Sequence, residues 1–292
     1  MSLEPSHSYP ANPNAEDLIV GLRQLPPTAR VLARLQHLLA DPNSGLDDIA
    51  ALLRLDAPLV TRIIQISNSV LLRRGEPCRT IEESVNRVGF REIYRLVAMV
   101  ASKAMVSGPL SSYGMTGDVS WRLSVGCALG AEKIAERLNE DNAVAYTVGL
   151  LHAIGRMPIN QFLLNTDGKR VLTNEGFPYE HSAAELALLG YTQAEVGAQM
   201  LKKWGFASTV VEAVRSQYEP LLASEPHDRM ASILHLARLL FAMAFGAGEA
   251  PKMPGEDEIF AELRMDRDML GALVPDLRAG MDRANKITQS YH

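Results

Sequence analysis

The 292-residue chain has only two cysteines, Cys78 and Cys127. Two thiols so far apart in so long a chain suggest neither a disulfide framework nor a zinc cluster. Free buried thiols in a reducing cytoplasm are the expectation. Aromatic residues are scarce, at 6%, and no stretch alternates apolar and polar positions with period two, so nothing in the pattern asks for a sheet. The N-terminus lacks the basic-then-apolar run of a secretion signal. Long hydrophobic runs are missing too. The nearest approach, residues 230–247, carries His235 and Arg238 near its centre, and a central Arg costs roughly 2.5–3.5 kcal/mol on insertion scales. It reads as a buried core helix, which leaves no membrane association to expect. Positive charge is not in excess: 29 Lys+Arg against 34 Asp+Glu give −5, which removes any global electrostatic case for nucleic acid. The charge is uneven, with 12 basic against 9 acidic side chains in residues 17–107 and 17 against 23 in residues 108–292.

What is present is helical period. Residues 1–16, with Pro5, Pro10 and Pro13, read as a disordered lead-in. Val31, Leu32, Leu35, Leu38 and Leu39 make one apolar stripe, stopped at Asp41-Pro42. Leu46, Ile49, Ala50 and Leu53 make the next. Asp56 caps a helix with Pro58 near its start, and Thr80-Ile81-Glu82-Glu83 and Thr192-Gln193-Ala194-Glu195 fit capping boxes. Residues 108–117 form an internal linker around Gly108-Pro109 and Gly114. Trp121 to Leu138 is a long amphipathic helix on which Gly126 and Gly130 would let a neighbour come close. Residues 143–152 are apolar almost all round, so that helix should be central. A Gly/Pro-rich break at 246–255 precedes short helices. The expected fold class is all-α: an N-terminal helical lobe (17–107), a second helical lobe (118–246), and a C-terminal helical segment (247–292) packed on one of them.

The most informative stretch is Val148-Gly149-Leu150-Leu151-His152-Ala153-Ile154-Gly155-Arg156. It resembles the signature of HD-type phosphohydrolases, with alanine where their metal-binding aspartate stands. Around it lie Leu25-Pro26-Pro27, Leu55-Asp56-Ala57-Pro58-Leu59, Ile66-Ser67-Asn68-Ser69, Ser84-Val85-Asn86-Arg87-Val88-Gly89, Trp121-Arg122-Leu123-Ser124, Ala194-Glu195-Val196-Gly197 and Trp204. In this order, over roughly Leu25 to Phe245, they make the chain similar to the HDOD proteins, the HD-related output domain family of bacterial signalling proteins.

The resemblance implies a metal locus, and each of its positions can be read in turn. The early histidine is Leu123, the aspartate after His152 is Ala153, and the histidine before Ala194 is Gln193. The late histidine pair is Gln217-Tyr218, and the late aspartate is Arg238. One imidazole, two amides and a guanidinium do not bind a divalent ion, so no metal and no cofactor is expected. For His152 the plain expectation is a core histidine bonded to a backbone carbonyl. For Gln193, Gln217, Tyr218 and Arg238 it is surface placement or ordinary packing. The alternative makes the old cleft a polar pocket for a nucleotide or other anion with Arg238 as phosphate fork, although Arg238 could equally pair with a carboxylate.

A second pattern, Leu46 to Ala50 leading to Pro58 to Arg62, superficially fits a helix-turn-helix, with Arg73, Arg74 and Arg79 nearby. Interleaved Asp47, Asp48 and Asp56 argue instead for a packing unit with snorkelling arginines. The run Arg87, Arg91, Arg95, together with Arg73 and Arg74, is a candidate partner or anion surface.

What the resemblance implies about function is a non-catalytic output or adaptor role in signal transduction. The partner would be a signalling protein such as a response regulator or a cyclic-dinucleotide enzyme; a nucleotide ligand stays open and nucleic acid is not expected. The rivals are a phosphohydrolase with displaced ligands and a helix-turn-helix regulator.

Overall fold

The computed structural model describes residues 13–20, 27–41, 43–69, 72, 75–106, 108–166, 172, 180–250 and 252–289. Leu25, Pro26, Arg73 and Arg74 lie outside the described residues. Among the described residues there is no β-strand, only an isolated bridge between Leu110 and Met115.

The N-terminal lobe holds α2 (Pro27–Ala40), α3 (Leu46–Leu53), α4 (Ala57–Ser67), α5 (Ile81–Val88) and α6 (Phe90–Val106). The Asp56 side chain accepts from the Leu59 N–H at 3.1 Å, as its position before Pro58 predicts. Thr80 accepts from the Glu83 N–H at 3.2 Å, but the Glu83 carboxylate turns back to the Arg79 N–H at 2.6 Å, so the box there is one residue wider than its pattern. Leu32, Ile49, Leu53, Ile63 and Ile93 are sealed from solvent, each contributing about 1.5–3 kcal/mol by burial.

The second lobe is built on α7 (Gly117–Leu138), α8 (Asn142–Leu151) and α13 (Asp228–Phe245). Asp141 caps α8 through bonds from the Ala143 and Val144 N–H groups at 2.9 and 3.0 Å. Around them lie α9 (Arg156–Thr166), α10 (Ser182–Leu189), α11 (Gln193–Lys203) and α12 (Ser208–Arg215). Gly126 does face another helix: a Cβ there would run into the Phe241 ring of α13. The C-terminal segment, α14 (Glu256–Leu263), α15 (Arg267–Gly271) and α16 (Val274–Gln289), packs on this second lobe, with α16 against α7 and α13.

One apolar core runs through both lobes. The seam lies where α6 meets α7 and α8. There Arg95 on α6 pairs with buried Glu132 on α7, and Tyr94 is hydrogen-bonded to Thr147 on α8. Two further ties cross it. The His37 ring meets the Gly205 carbonyl at 2.9 Å, and α1 (Ala15–Val20) packs on α9 and α11, where the Tyr191 hydroxyl donates to Pro13 O at 2.9 Å.

Candidate functional site

The site grows from the turn that follows α8. His152 sits at the C-terminal cap of that helix, 1% exposed, with Nδ1 at 2.6 Å from the Gly149 carbonyl. A carbonyl only accepts, so Nδ1 carries the proton. Burial, and then the nearby Arg156, push the imidazole down to about 3, so the ring is neutral. Two glycines of the same segment let the surrounding backbones close. A Cβ on Gly149 would overlap the Cys127 backbone of α7, and one on Gly155 would overlap the Gln193 carbonyl of α11.

That second approach brings the start of α11 over the turn. Gln193 and Gln217 are both fully buried, and the Nε2 of each donates to the His152 carbonyl, at 3.0 and 2.9 Å. Gln193 Nε2 also donates to the Tyr218 hydroxyl at 2.9 Å, and Gln217 Nε2 to Val214 O at 2.8 Å. The Gln217 carbonyl receives His235 Nδ1 and Arg238 Nη1, each at 3.1 Å. Surface placement is thus corrected for both glutamines and for Arg238. The reason is that α11, α12 and α13 converge on a single turn whose carbonyl needs donors. Leu123 and Ala153 are buried, and their side chains supply no lone pair.

Around this core lie Arg238, which the sequence singled out, and charges that it did not. Arg238, 6% exposed, pairs with Glu180, and its guanidinium carbon lies 4.6 Å from the centre of the Tyr218 ring. Of the two options left open for Arg238, the carboxylate partner is the one observed. Arg156, 3% exposed, opens α9 with its guanidinium 5.5 Å from the Tyr113 ring centre and Nη1 3.4 Å from the Met115 sulfur. Glu185 on α10 is fully buried. It accepts from the Tyr113 hydroxyl at 2.9 Å and from the Gln193 N–H at 2.7 Å. Burial raises the Glu185 carboxyl to about 7, with Arg156 opposing. Burial also raises Glu180, but Arg238 and the Ser182 N–H outweigh it and hold that carboxyl below its usual range. His235 is pushed down to about 4 by burial and then by Arg238. The signal for Arg156 was at hand, at the end of the quoted nonapeptide. Glu185 was legible only as a lone acid among Ala and Leu.

Three regions differ from their sequence reading. The end of the expected disordered lead-in is ordered, with Pro13 and Ala15 buried and Ala15 opening α1. Residues 108–117 carry the turn residues of a linker, yet Leu110, Ser112, Tyr113 and Met115 are buried, and the Asn160 side chain accepts from the Ser112 N–H at 2.9 Å. Glycine and proline marked the turns there but gave no hint that the turn residues cover a polar core. In the proposed arginine surface, Arg95 faces inward to Glu132 and Glu92, because the left-handed Gly89 (φ 86°) breaks the helical phase between α5 and α6. Arg91 is exposed, and Arg87 is half-buried. Both cysteines are buried free thiols, and burial pushes Cys127 up to about 12.

The HD architecture implies a divalent metal at this locus, and the donor set does not fit one. His152 offers one neutral imidazole. Gln193 and Gln217 retain amide oxygens with no partner among the described residues, but their nitrogens are committed to the turn. The guanidinium of Arg238 stands where the resemblance puts the late aspartate, and Arg156 adds a second fixed positive charge. Among the described residues no group of three or more His, Cys, Asp or Glu side chains is arranged to hold a metal.

These features define an all-helical HD-like bundle whose metal locus is filled by its own side chains. A sequence model of the HDOD domain matches residues 25–220, and the chain belongs to the HDOD domain family. An uncharacterized protein of Treponema pallidum (strain Nichols) is 24% identical over 241 residues, which is 80% of this chain but only 44% of that protein's length. An HDOD domain protein of unknown function from Geobacter sulfurreducens superposes with a TM-score of 0.69 at 21% identity, covering 92% of this chain and 96% of its own. A Marinobacter aquaeolei VT8 protein, provisionally named a signal transduction protein, superposes with a TM-score of 0.68 at 23% identity, over 93% of this chain and 61% of its own. The chain spans less than two thirds of the Treponema and Marinobacter proteins. At these identities the structural likenesses establish the fold.

Proposed function

We propose that this protein is a non-catalytic output or adaptor module of bacterial signal transduction, working in the cytoplasm by contact with a signalling partner such as a response regulator or a cyclic-dinucleotide enzyme. The observation that carries the reading is the pair of guanidiniums, Arg156 and Arg238, set with Glu180 and Glu185 around His152. Hydrolysis of a phosphoester by an HD site needs a cation to polarise the phosphoryl oxygen and to generate hydroxide. Here the positive charge is covalent, cannot lose a proton, and has no coordination position for water. The provisional naming of the Marinobacter neighbour and the membership of an output-domain family support a signalling role. Among the described residues no helix is long and apolar enough to cross a membrane.

The test is a measurement on the full chain with Mg²⁺, Mn²⁺ and Zn²⁺. Release of product from a generic phosphodiester and from nucleotides should stay at the buffer rate, and metal analysis should find no stoichiometric ion. Chelator-sensitive turnover, with a metal within coordination distance of the His152 ring, would overturn the proposal.

A further inference from the structure

Where the C-terminal segment meets the second lobe, a hollow of about 680 Å³ opens, inside the range of roughly 300–1,000 Å³ typical of small-molecule sites. Three helix ends build it: the last turn of α7 with Arg137, the first turn of α13 with Arg229, and the close of α14 with Glu262 and Arg264. Its apolar wall is Leu138, Leu263, Met265 and Met269. It lies away from His152, so it does not depend on how the filled metal locus is read.

The polar groups are not equivalent. Arg229 is committed to Glu140 at 2.7 Å. The side chains of Arg137 and Arg264 make no hydrogen bond or ion pair among the described residues. Glu262 receives only a 3.5 Å contact from the Ser232 hydroxyl on Oε2, while its Oε1 is buried without a partner. Burial and then Asp228, outside the lining, raise the Glu262 carboxyl, with Arg229 opposing. Arg264 is also one of two described non-glycine residues at positive φ, at 53°, where it closes α14. That conformation suits glycine better than arginine, yet this residue places a guanidinium at the rim.

We infer that this hollow binds a nucleoside monophosphate. The two uncommitted guanidiniums are forks for a phosphate. The thioether and leucine wall takes the flat face of a base, where sulfur–ring contacts are favourable. The orphan carboxylate oxygen of Glu262 needs an N–H donor, and guanine presents two adjacent ones on a single edge. One ligand thereby answers three separate demands of the pocket.

Isothermal titration of the full chain with GMP tests this, with guanosine and inorganic phosphate as separate arms. GMP is expected to bind at least tenfold tighter than either fragment. Arg264→Gly should weaken GMP binding at least tenfold while leaving the melting temperature unchanged or higher, since glycine relieves the positive φ. Arg137→Ala should weaken it similarly, and Glu262→Gln should bring GMP down toward AMP. No GMP binding at millimolar concentration, equal binding of phosphate alone, or GMP affinity unchanged in both arginine variants would each overturn the inference.

Discussion

Ile63 in α4 and Arg156 at the head of α9 are almost equally hidden from solvent, one in each lobe, but their surroundings differ in kind. Ile63 sits in a core whose buried polar side chains, among the described residues of that lobe, are Gln36, Ser67 and Ser84. Arg156 lies in an interior shared with Glu185, Arg238, His152, His181, His235 and two glutamines. The first lobe is held by apolar area, and small losses there should have small effects. The second is held partly by matched charge in a low-dielectric interior, where removing one member strands the others.

The sharpest break is to delete a cation. Arg238→Leu removes the ion-pair partner of Glu180 and should cost about 3–5 kcal/mol, whereas Arg156→Leu removes the charge that opposes the rise of Glu185, whose carboxyl can take up a proton instead, and should cost less. Both losses are read as a lowered urea midpoint at unchanged slope. A loss below about 1 kcal/mol for both would show that the cluster is not a matched set.

Acid titration separates the lobes next. His152 and His235 have folded values of about 3 and 4, below the unfolded value of roughly 6.5. The folded state binds fewer protons, so their stability is complete above pH 6.5 and is lost as pH falls. Glu185 is opposite: its folded value of about 7 exceeds the unfolded one, so its contribution is complete at low pH and is lost as pH rises through 7. Between pH 7 and 5 these terms oppose. Each histidine removes about 2 kcal/mol and Glu185 restores a similar amount. Glu185→Gln removes the compensation, and that variant should lose about 4 kcal/mol over the interval, against about 2 kcal/mol for the parent. Parallel pH profiles for the two proteins would contradict the opposing terms.

The smallest effect belongs to the first lobe. Ile63→Val should cost about 1 kcal/mol, with no change in pH dependence. A pH-dependent loss there would mean that the contrast between the lobes is drawn in the wrong place.

The sequence carried much of the site's skeleton and little of its content. Periodicity gave the helices, since burying one face is a local demand. The order of short motifs gave the HD-like bundle, and the resemblance led to the expectation that Leu123, Ala153, Gln193 and Arg238 stand at the ligand positions. What lies around His152 was not visible. Glu180, Glu185 and Tyr113 lie far along the chain from His152, and a buried glutamate in a short helix looks in sequence like any solvated one. Arg95 illustrates the same limit: three arginines at helical spacing made a face on paper, and one glycine between them turned the third toward Glu132.

By itself, then, the sequence determined the all-helical class and the family, because those depend on residue type and local spacing. Tertiary structure alone decided that two arginines and two glutamates fill the interior around His152, that the supposed linker covers it, and that the C-terminal helices open a charged hollow against the last turn of α7. Charge pairing acts through space, so which opposite charges meet is set by how the helices pack and not by where they stand in the chain.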